Sequence, residues 1–241
     1  MKSYYSSISN KNVLVTGGLG GIGTSIMNCF KEQKANVYIT GTKRNKLVTG
    51  INYIKCDFDN SKEFEFFLSS IKELEIDILV NNAGINKIDK FQNIKKEDFI
   101  KIHKVNTFAP FRITQEVLHN MKKRKWGRIV NISSIFGNIS KEYRASYSSS
   151  KFALDGLTAA LSAEVAKNGI LVNTVSPGFI KTDLTQKILG SDGIKEMSSL
   201  VPIGRLGRPV EIAKFIIWLC SDENSYISGQ NLIIDGGFSR V

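Results

Sequence analysis

Apolar positions along the chain follow two alternating rhythms. Short continuous runs rich in β-branched residues occupy 13–16, 37–40, 51–54, 76–80, 128–132, 170–175 and 232–234. Between most of them apolar residues recur every three or four positions. Examples are Ile102, Val105, Ala109, Ile113 and Val117, and further on Ala153, Leu157, Ala160, Leu161 and Val165. Uninterrupted apolar strands are buried on both sides, and amphipathic helices are what cover them. The pattern predicts an α/β chain, 1–241 forming a single doubly wound domain of about seven parallel strands with helices on both faces. The stretch 43–50 is too short for a comfortable helix, so the second crossover is expected to be a loop.

Composition adds limits rather than identity. A chain of 241 residues, 42% apolar and 23% charged, can bury one large core and is too hydrophobic for disorder. No run approaches the ~18–20 apolar residues of a membrane span, and residues 1–10 contain no secretory apolar segment. Cys29, Cys56 and Cys220 are far apart and odd in number, giving neither a disulfide framework nor metal-ligand spacing. A reducing, cytoplasmic setting and no metal site are therefore expected. The 33 Lys/Arg exceed the 22 Asp/Glu by 11, which raises nucleic acid as a partner. The basic residues are scattered, apart from Lys122-Lys123-Arg124-Lys125, which falls where a helix should end and cations complement its dipole. Neither nucleic acid nor membrane is the expected partner, while a phosphate-bearing ligand remains compatible with the charge.

Directly after the first strand comes Thr16-Gly17-Gly18-Leu19-Gly20-Gly21-Ile22-Gly23, and a helix-like stretch follows. Glycines let the backbone turn sharply and approach a pyrophosphate, which the N–H groups of the following helix attract. This makes a Rossmann-type dinucleotide site the leading reading; a tight turn without ligand is the alternative. Thr24 follows Gly23, so no nucleoside-triphosphate lysine is present. The second strand ends Thr40-Gly41-Thr42-Lys43-Arg44 with no acid to hold a ribose 2′-hydroxyl. Thr42, Lys43 and Arg44 suit a 2′-phosphate instead, so NADP(H) is favoured over NAD(H), against the alternative that they are ordinary surface charges.

Tyr147 and Lys151 are four apart at the start of a periodic helix, which stacks them on one face. An ammonium beside a phenol favours the phenolate, so the hydroxyl can exchange a proton nearer neutral pH. Ser133 and Ser134 follow the fifth strand, at the carboxyl end where parallel sheets bind ligands, and a hydroxyl there could hold a carbonyl oxygen. One of the two serines is expected to be a cap or turn residue.

These residues, in this order, resemble the short-chain dehydrogenase/reductase family across essentially the whole chain. The matching segments are Thr16-Gly17-x-x-x-Gly21-x-Gly23, Asn81-Asn82-Ala83-Gly84, Asn106, Ser134, Tyr147-x-x-x-Lys151 and Pro177-Gly178. The family serine lies thirteen residues before the tyrosine, which selects Ser134. The resemblance implies a catalytic tetrad. Tyr147 is the proton donor in reduction, Lys151 lowers its pKa and bonds the nicotinamide ribose, Ser134 holds the carbonyl, and Asn106 positions a water toward Lys151.

The implied cofactor contacts are Gly17, Leu19, Gly21, Ile22 and Gly23 in the loop, with Asp57 and Phe58 after the third strand. Asn82, Ala83 and Gly84 follow the fourth strand, and Pro177, Gly178, Ile180 and Thr182 the sixth; Asp57 is alternatively a turn residue. The bacterial 3-oxoacyl-[acyl-carrier-protein] reductases look nearest within the family. That implies a small carbonyl substrate carried on an acidic acyl carrier protein, with basic docking residues near the site, one at Lys125. At the other docking position stands Asn168, beside Lys167. A sugar or polyol substrate, with NAD, is the alternative. Residues 181–201 are expected to form a flap, and the last strand with its preceding helix (Phe215, Ile216, Trp218, Leu219) a homotetramer interface.

Overall fold

The computed structural model describes residues 5–43 and 48–241. Among these, seven strands form: β1 (Asn12–Val15), β2 (Asn36–Gly41), β3 (Asn52–Lys55), β4 (Ile78–Asn81), β5 (Gly127–Ile132), β6 (Ile170–Pro177) and β7 (Asn231–Ile234). Seven α-helices accompany them: α1 (Gly21–Glu32), α2 (Ser61–Lys72), α3 (Lys96–His103), α4 (Ala109–Arg124), α5 (Ala145–Val165), α6 (Asp183–Ser199) and α7 (Pro209–Cys220).

The strands make one parallel sheet in the order β3-β2-β1-β4-β5-β6-β7. Val13 registers with Val37 on one side and Ile78 on the other. The chain winds outward from β1 to β3, returns to β4, and winds the other way. The connections leaving β1 and β4 therefore diverge, and a crevice opens at their carboxyl ends.

Pleating divides the core. Val13, Val15, Val37 and Ile39 meet Ile26 and Phe30 of α1 and Ile216 of α7 on one face. Leu14, Leu79 and Ile129 meet Phe64 and Phe67 of α2 and Ile113 and Val117 of α4 on the other. Strand neighbours alternate between faces, as a period of two requires. In the middle of the sheet, Asn81 donates to Asn131 (2.8 Å), Asn131 to Thr158 (2.8 Å), and Thr158 meets Thr174 (2.7 Å). This buried polar chain ties β4, β5 and β6 to α5; its members satisfy one another except for Asn81 Oδ1, which has no partner among the described residues.

Two segments depart from the simplest reading of the periodicity. The stretch from Ile102 to Val117 is interrupted by a π-helical turn, Lys104–Phe108, between α3 and α4. Residues 181–201 contain α6, kinked where Gly190 takes φ 63°. Of the second crossover, residues 48–50 are turn; 44–47, and with them Arg44, lie outside the described residues.

Candidate active site

The glycine loop fills the β1 side of the crevice. Gly17 (φ 65°) and Gly21 (φ 46°) adopt left-handed backbone that other residues avoid, and a Cβ on Gly23 would lie 2.2 Å from the Gly17 carbonyl. At Gly20 a Cβ would meet nothing within 4 Å. The phasing Gly17, Gly21, Gly23 is thus the one the backbone demands.

Neighbouring strands hold this loop. Thr40 at the end of β2 accepts from Gly17 N (3.1 Å) and Thr16 Oγ1 accepts from Asn82 N (2.9 Å) and Ala83 N (3.0 Å). Asn82 Nδ2 donates back to the carbonyls of Thr16 (2.9 Å) and Gly17 (3.1 Å). Helix α1 starts without a side-chain cap, so its first N–H groups face the crevice. Leu19 and Ile22 pack partly on the core beneath.

On the β4–β5 side, four side chains converge. Lys151, 3% exposed, sends Nζ to the Ile132 carbonyl (2.8 Å) and lies 5.7 Å from the centre of the Tyr147 ring. A Cβ on Gly84 would meet Lys151 Nζ at 3.3 Å and Asn106 Oδ1 at 3.4 Å, so Gly84 lets the β4 loop close over the pair. Asn106, fully buried in the π turn, accepts from Ile85 N (2.8 Å) and donates to Ile85 O (2.9 Å) and Ser150 Oγ (3.0 Å). Both amide hydrogens are thus used on protein, and the side chain frames the β4 loop rather than presenting a donor to water. Ser134 Oγ accepts from Phe136 N (3.2 Å) and hydrogen-bonds Tyr147, whereas Ser133 donates to the Lys151 carbonyl (3.2 Å). Ser133 is the structural serine of the two.

The electrostatics correct one expectation. Burial raises the Tyr147 hydroxyl above its ordinary value; the opposing influences are the Ser134 hydrogen bond and the charge of Arg144. Lys151 is itself lowered to about 8 by burial. The ammonium expected to acidify the phenol is weakened by the same desolvation that raises the phenol.

The remaining candidates fall around the crevice. Thr42 and Lys43 are exposed beyond β2, and Lys43 pairs with no carboxylate among the described residues. Asp57 Oδ1 accepts from Asp59 N (2.9 Å), so it does serve a turn. The Phe58 ring is buried at tilted angles against Phe64 and Phe67 in the core, so its backbone is the part left to meet a ligand. Gly178 lets the backbone after β6 approach Asp235, where a Cβ would lie 2.7 Å from its Cα. Pro177 and Ile180 are buried, and Thr182 caps α6 through Thr185 N (3.1 Å) with its methyl facing Gly21. Thr40, Ser150 and Arg144 also belong to the site's framework, although no sequence motif assigns them a role; Thr16, the first residue of the glycine motif, braces the loop as well.

Lys125 and the residues of α7 lie away from this convergence. Lys125 follows α4 and precedes β5, whereas Ser134 follows β5. A six-residue strand, about 20 Å, separates the expected docking lysine from the site of its own chain. In the same cluster Lys122 pairs with Glu164 (3.1 Å) and Arg124 with Asp77 (3.2 Å). On α7, Ile216 and Leu219 are core residues, while Phe215 and Trp218 stack on each other outside it.

Comparison with known proteins gives concordant matches. A protein-family model described as enoyl-(acyl carrier protein) reductase matches residues 17–239. The chain is 37% identical over 241 residues to the 3-oxoacyl-[acyl-carrier-protein] reductase FabG of Rickettsia felis, covering 97% of this chain and 99% of that one. Among solved structures it resembles ElxO with NADP bound (34% identical, TM-score 0.89, covering 96% of this chain and 100% of that one). It also resembles 4-hydroxyisoleucine dehydrogenase complexed with NADH (32% identical, TM-score 0.90, with the same coverage).

Proposed function

The chain belongs to the short-chain dehydrogenase/reductase family, and on that premise we propose that this NAD(P)-dependent oxidoreductase reduces 3-oxoacyl thioesters with NADPH. The observation that carries the reading is the convergence of Tyr147, Ser134 and Lys151 at the carboxyl end of β5, combined with near full-length similarity to a 3-oxoacyl-[acyl-carrier-protein] reductase. Residues 1–241 act as one dinucleotide-binding and catalytic unit, with 181–201 as the flap over the substrate.

The residues of the crevice fit a dinucleotide. Gly17, Gly21 and Gly23 admit a pyrophosphate against the start of α1, with Leu19 and Ile22 beside it. Asn82, Ala83 and Gly84 line a ribose, Asp57 and the Phe58 backbone take the adenine, and Pro177, Gly178, Ile180 and Thr182 take the nicotinamide side. The bound nicotinamide supplies the hydride. Lys43, unpaired with any carboxylate among the described residues, supports a 2′-phosphate and hence NADP(H). Arg44 is assigned the same role from sequence.

In reduction, Ser134 orients the substrate oxygen and Tyr147 Oη delivers its proton as negative charge develops there. Lys151 holds positive charge beside the phenolate that remains, and Asn106 fixes the β4 loop around it. The acyl chain comes attached to a carrier protein; a carrier seated at Lys125 must reach across about 20 Å. The protein works in the cytoplasm as a homotetramer. Its apolar surfaces support assembly: Phe99, Phe108, Phe111 and Phe152 on α3 to α5 are each at least 40% exposed, and edge strand β7 exposes Ile233.

The test is NADPH oxidation with acetoacetyl thioesters, carrier-bound and coenzyme-bound, beside crotonyl thioester and a panel of keto-sugars. Thioester ketone turnover that disappears in Tyr147→Phe, with dinucleotide binding retained, is expected. Turnover of sugars without thioesters, or tighter NADH than NADPH binding by fluorescence titration, overturns the substrate or cofactor assignment respectively.

A further inference from the structure

We propose that Arg144 is a positioning residue for proton transfer, its guanidinium resting on the Phe136 ring at the start of α5 so as to hold positive charge toward the Tyr147 hydroxyl. The inference rests on Tyr147 being the proton-transfer group. Three geometric observations carry it. First, Arg144 is the N-cap residue of α5, three positions before Tyr147, so it stands at the start of the helix that carries the hydroxyl. Second, its Cζ lies 5.2 Å from the Phe136 ring centre, and Phe136 N is the group that donates to Ser134 Oγ. The arginine, the serine and the tyrosine thus share one short segment after β5. Third, this cation sits where it is least expected. It occupies the N-cap of a 21-residue helix with no acidic residue in its first turn, so the helix dipole opposes it. Among the described residues no carboxylate pairs with it. An unpaired, half-buried guanidinium at the positive end of a helix is destabilising on its own account, and the group it serves is the neighbouring hydroxyl.

The groups facing Tyr147 are few. Its own helix contributes Arg144 and Lys151, the segment after β5 contributes Ser134, and the π turn contributes Asn106 through Ser150. The last two are uncharged. Lys151 is lowered to about 8 by burial, so its charge fades as pH rises through that value. Arginine keeps its proton throughout. The two cations therefore divide the range: Lys151 acts at and below neutrality, and Arg144 persists where the phenol begins to ionise. Burial lowers the arginine, and the charge of the Tyr147 anion opposes that lowering.

The experiment needs no substrate. Tyrosinate absorbance of the dinucleotide-free protein is titrated against Tyr147→Phe, and the difference isolates Tyr147. In Arg144→Gln the midpoint should move to higher pH, while Arg144→Lys stays near wild type. Oxidation of 3-hydroxybutyryl-CoA by NADP⁺, which needs the phenolate, should fall about three- to tenfold near pH 8 in Arg144→Gln, with dinucleotide affinity unchanged. A midpoint unmoved in Arg144→Gln, or moved equally in Arg144→Lys, overturns the proposal. Arg144→Met, which keeps the stem on Phe136, carries the same test if the glutamine variant does not fold. Failure of the thioester reading would abolish the turnover arm and leave the absorbance arm standing.

Discussion

Replacing Lys151 by Met should make the protein more stable while removing its activity. The wild-type ammonium is buried, and the fall of its pKa from 10.5 to about 8 is caused by desolvation. At about 1.4 kcal/mol per pH unit, that fall corresponds to about 3 kcal/mol of destabilisation whenever the lysine is charged. Methionine has similar length and no charge, but forfeits the bond to the Ile132 carbonyl, worth about 1–2 kcal/mol. The net is a gain of about 1–2 kcal/mol, or roughly 2–8 °C in Tm for a chain of this size.

The sign depends on pH. Below about 8 both folded and unfolded wild type carry the proton, and the destabilisation is complete. Between about 8 and 10.5 only the unfolded lysine binds it, so wild-type stability rises with pH relative to the variant. Urea unfolding followed by the fluorescence of Trp126 and Trp218 in dinucleotide-free protein, at about pH 6 and about pH 10, measures the gap. A variant less stable than wild type at the lower pH, or a gap that does not narrow at the higher one, refutes the reasoning.

Other perturbations address the loop, the frame and the cofactor. Gly23→Ala places a methyl 2.2 Å from the Gly17 carbonyl, and dinucleotide affinity by fluorescence titration should drop at least about tenfold as the loop shifts. Asn106→Ala strands Ile85 N and O, and should cost about 2–3 kcal/mol in urea unfolding while lowering turnover. Lys43→Glu should weaken NADPH about tenfold and leave NADH nearly unchanged, a contrast that calorimetric titration of both cofactors reads directly.

The inner strands were legible because they are buried on both faces and so read as unbroken apolar runs, whereas the edge strands β3 and β7, none of whose residues is buried, were legible from their β-branched residues. Strand boundaries shifted by one or two residues from the apolar runs. The run at 76–80 forms strand from Ile78; just before it, at the amino end of β4, the Asp77 carboxylate accepts from Asn12 N (2.9 Å) and pairs with Arg124. In the site, Tyr147 and Lys151 are paired by their spacing and Ser134 is selected by the family resemblance, and the structure brings all three together. What spacing could not convey is where each polar atom ends. Lys151 turns to a carbonyl of β5, Asn106 to the backbone of Ile85, and Thr16 and Thr40 brace the glycine loop from separate strands. Those are contacts between segments distant in sequence. The opposition between Lys151 and the Tyr147 pKa was hidden for a similar reason: a four-residue interval gives proximity, but burial decides the charge.

The π turn at Lys104–Phe108 has a consequence for how the chain tolerates changes in length. A wide turn carries one more residue than the α-helical geometry around it needs. The helices on either side are consequently out of phase, by about 100° of rotation, with the uninterrupted helix the periodicity suggested. Deleting Thr107 or Phe108 would let α3 and α4 fuse smoothly, and the interval from Val105 to Ala109 would shorten from four to three, still a helical spacing. The fused helix would turn the Asn106 amide away from Ile85, and the loop over Lys151 would lose its anchor. Local regularity and the site's integrity are here in competition, and a sequence shorter by one residue would satisfy the first at the expense of the second.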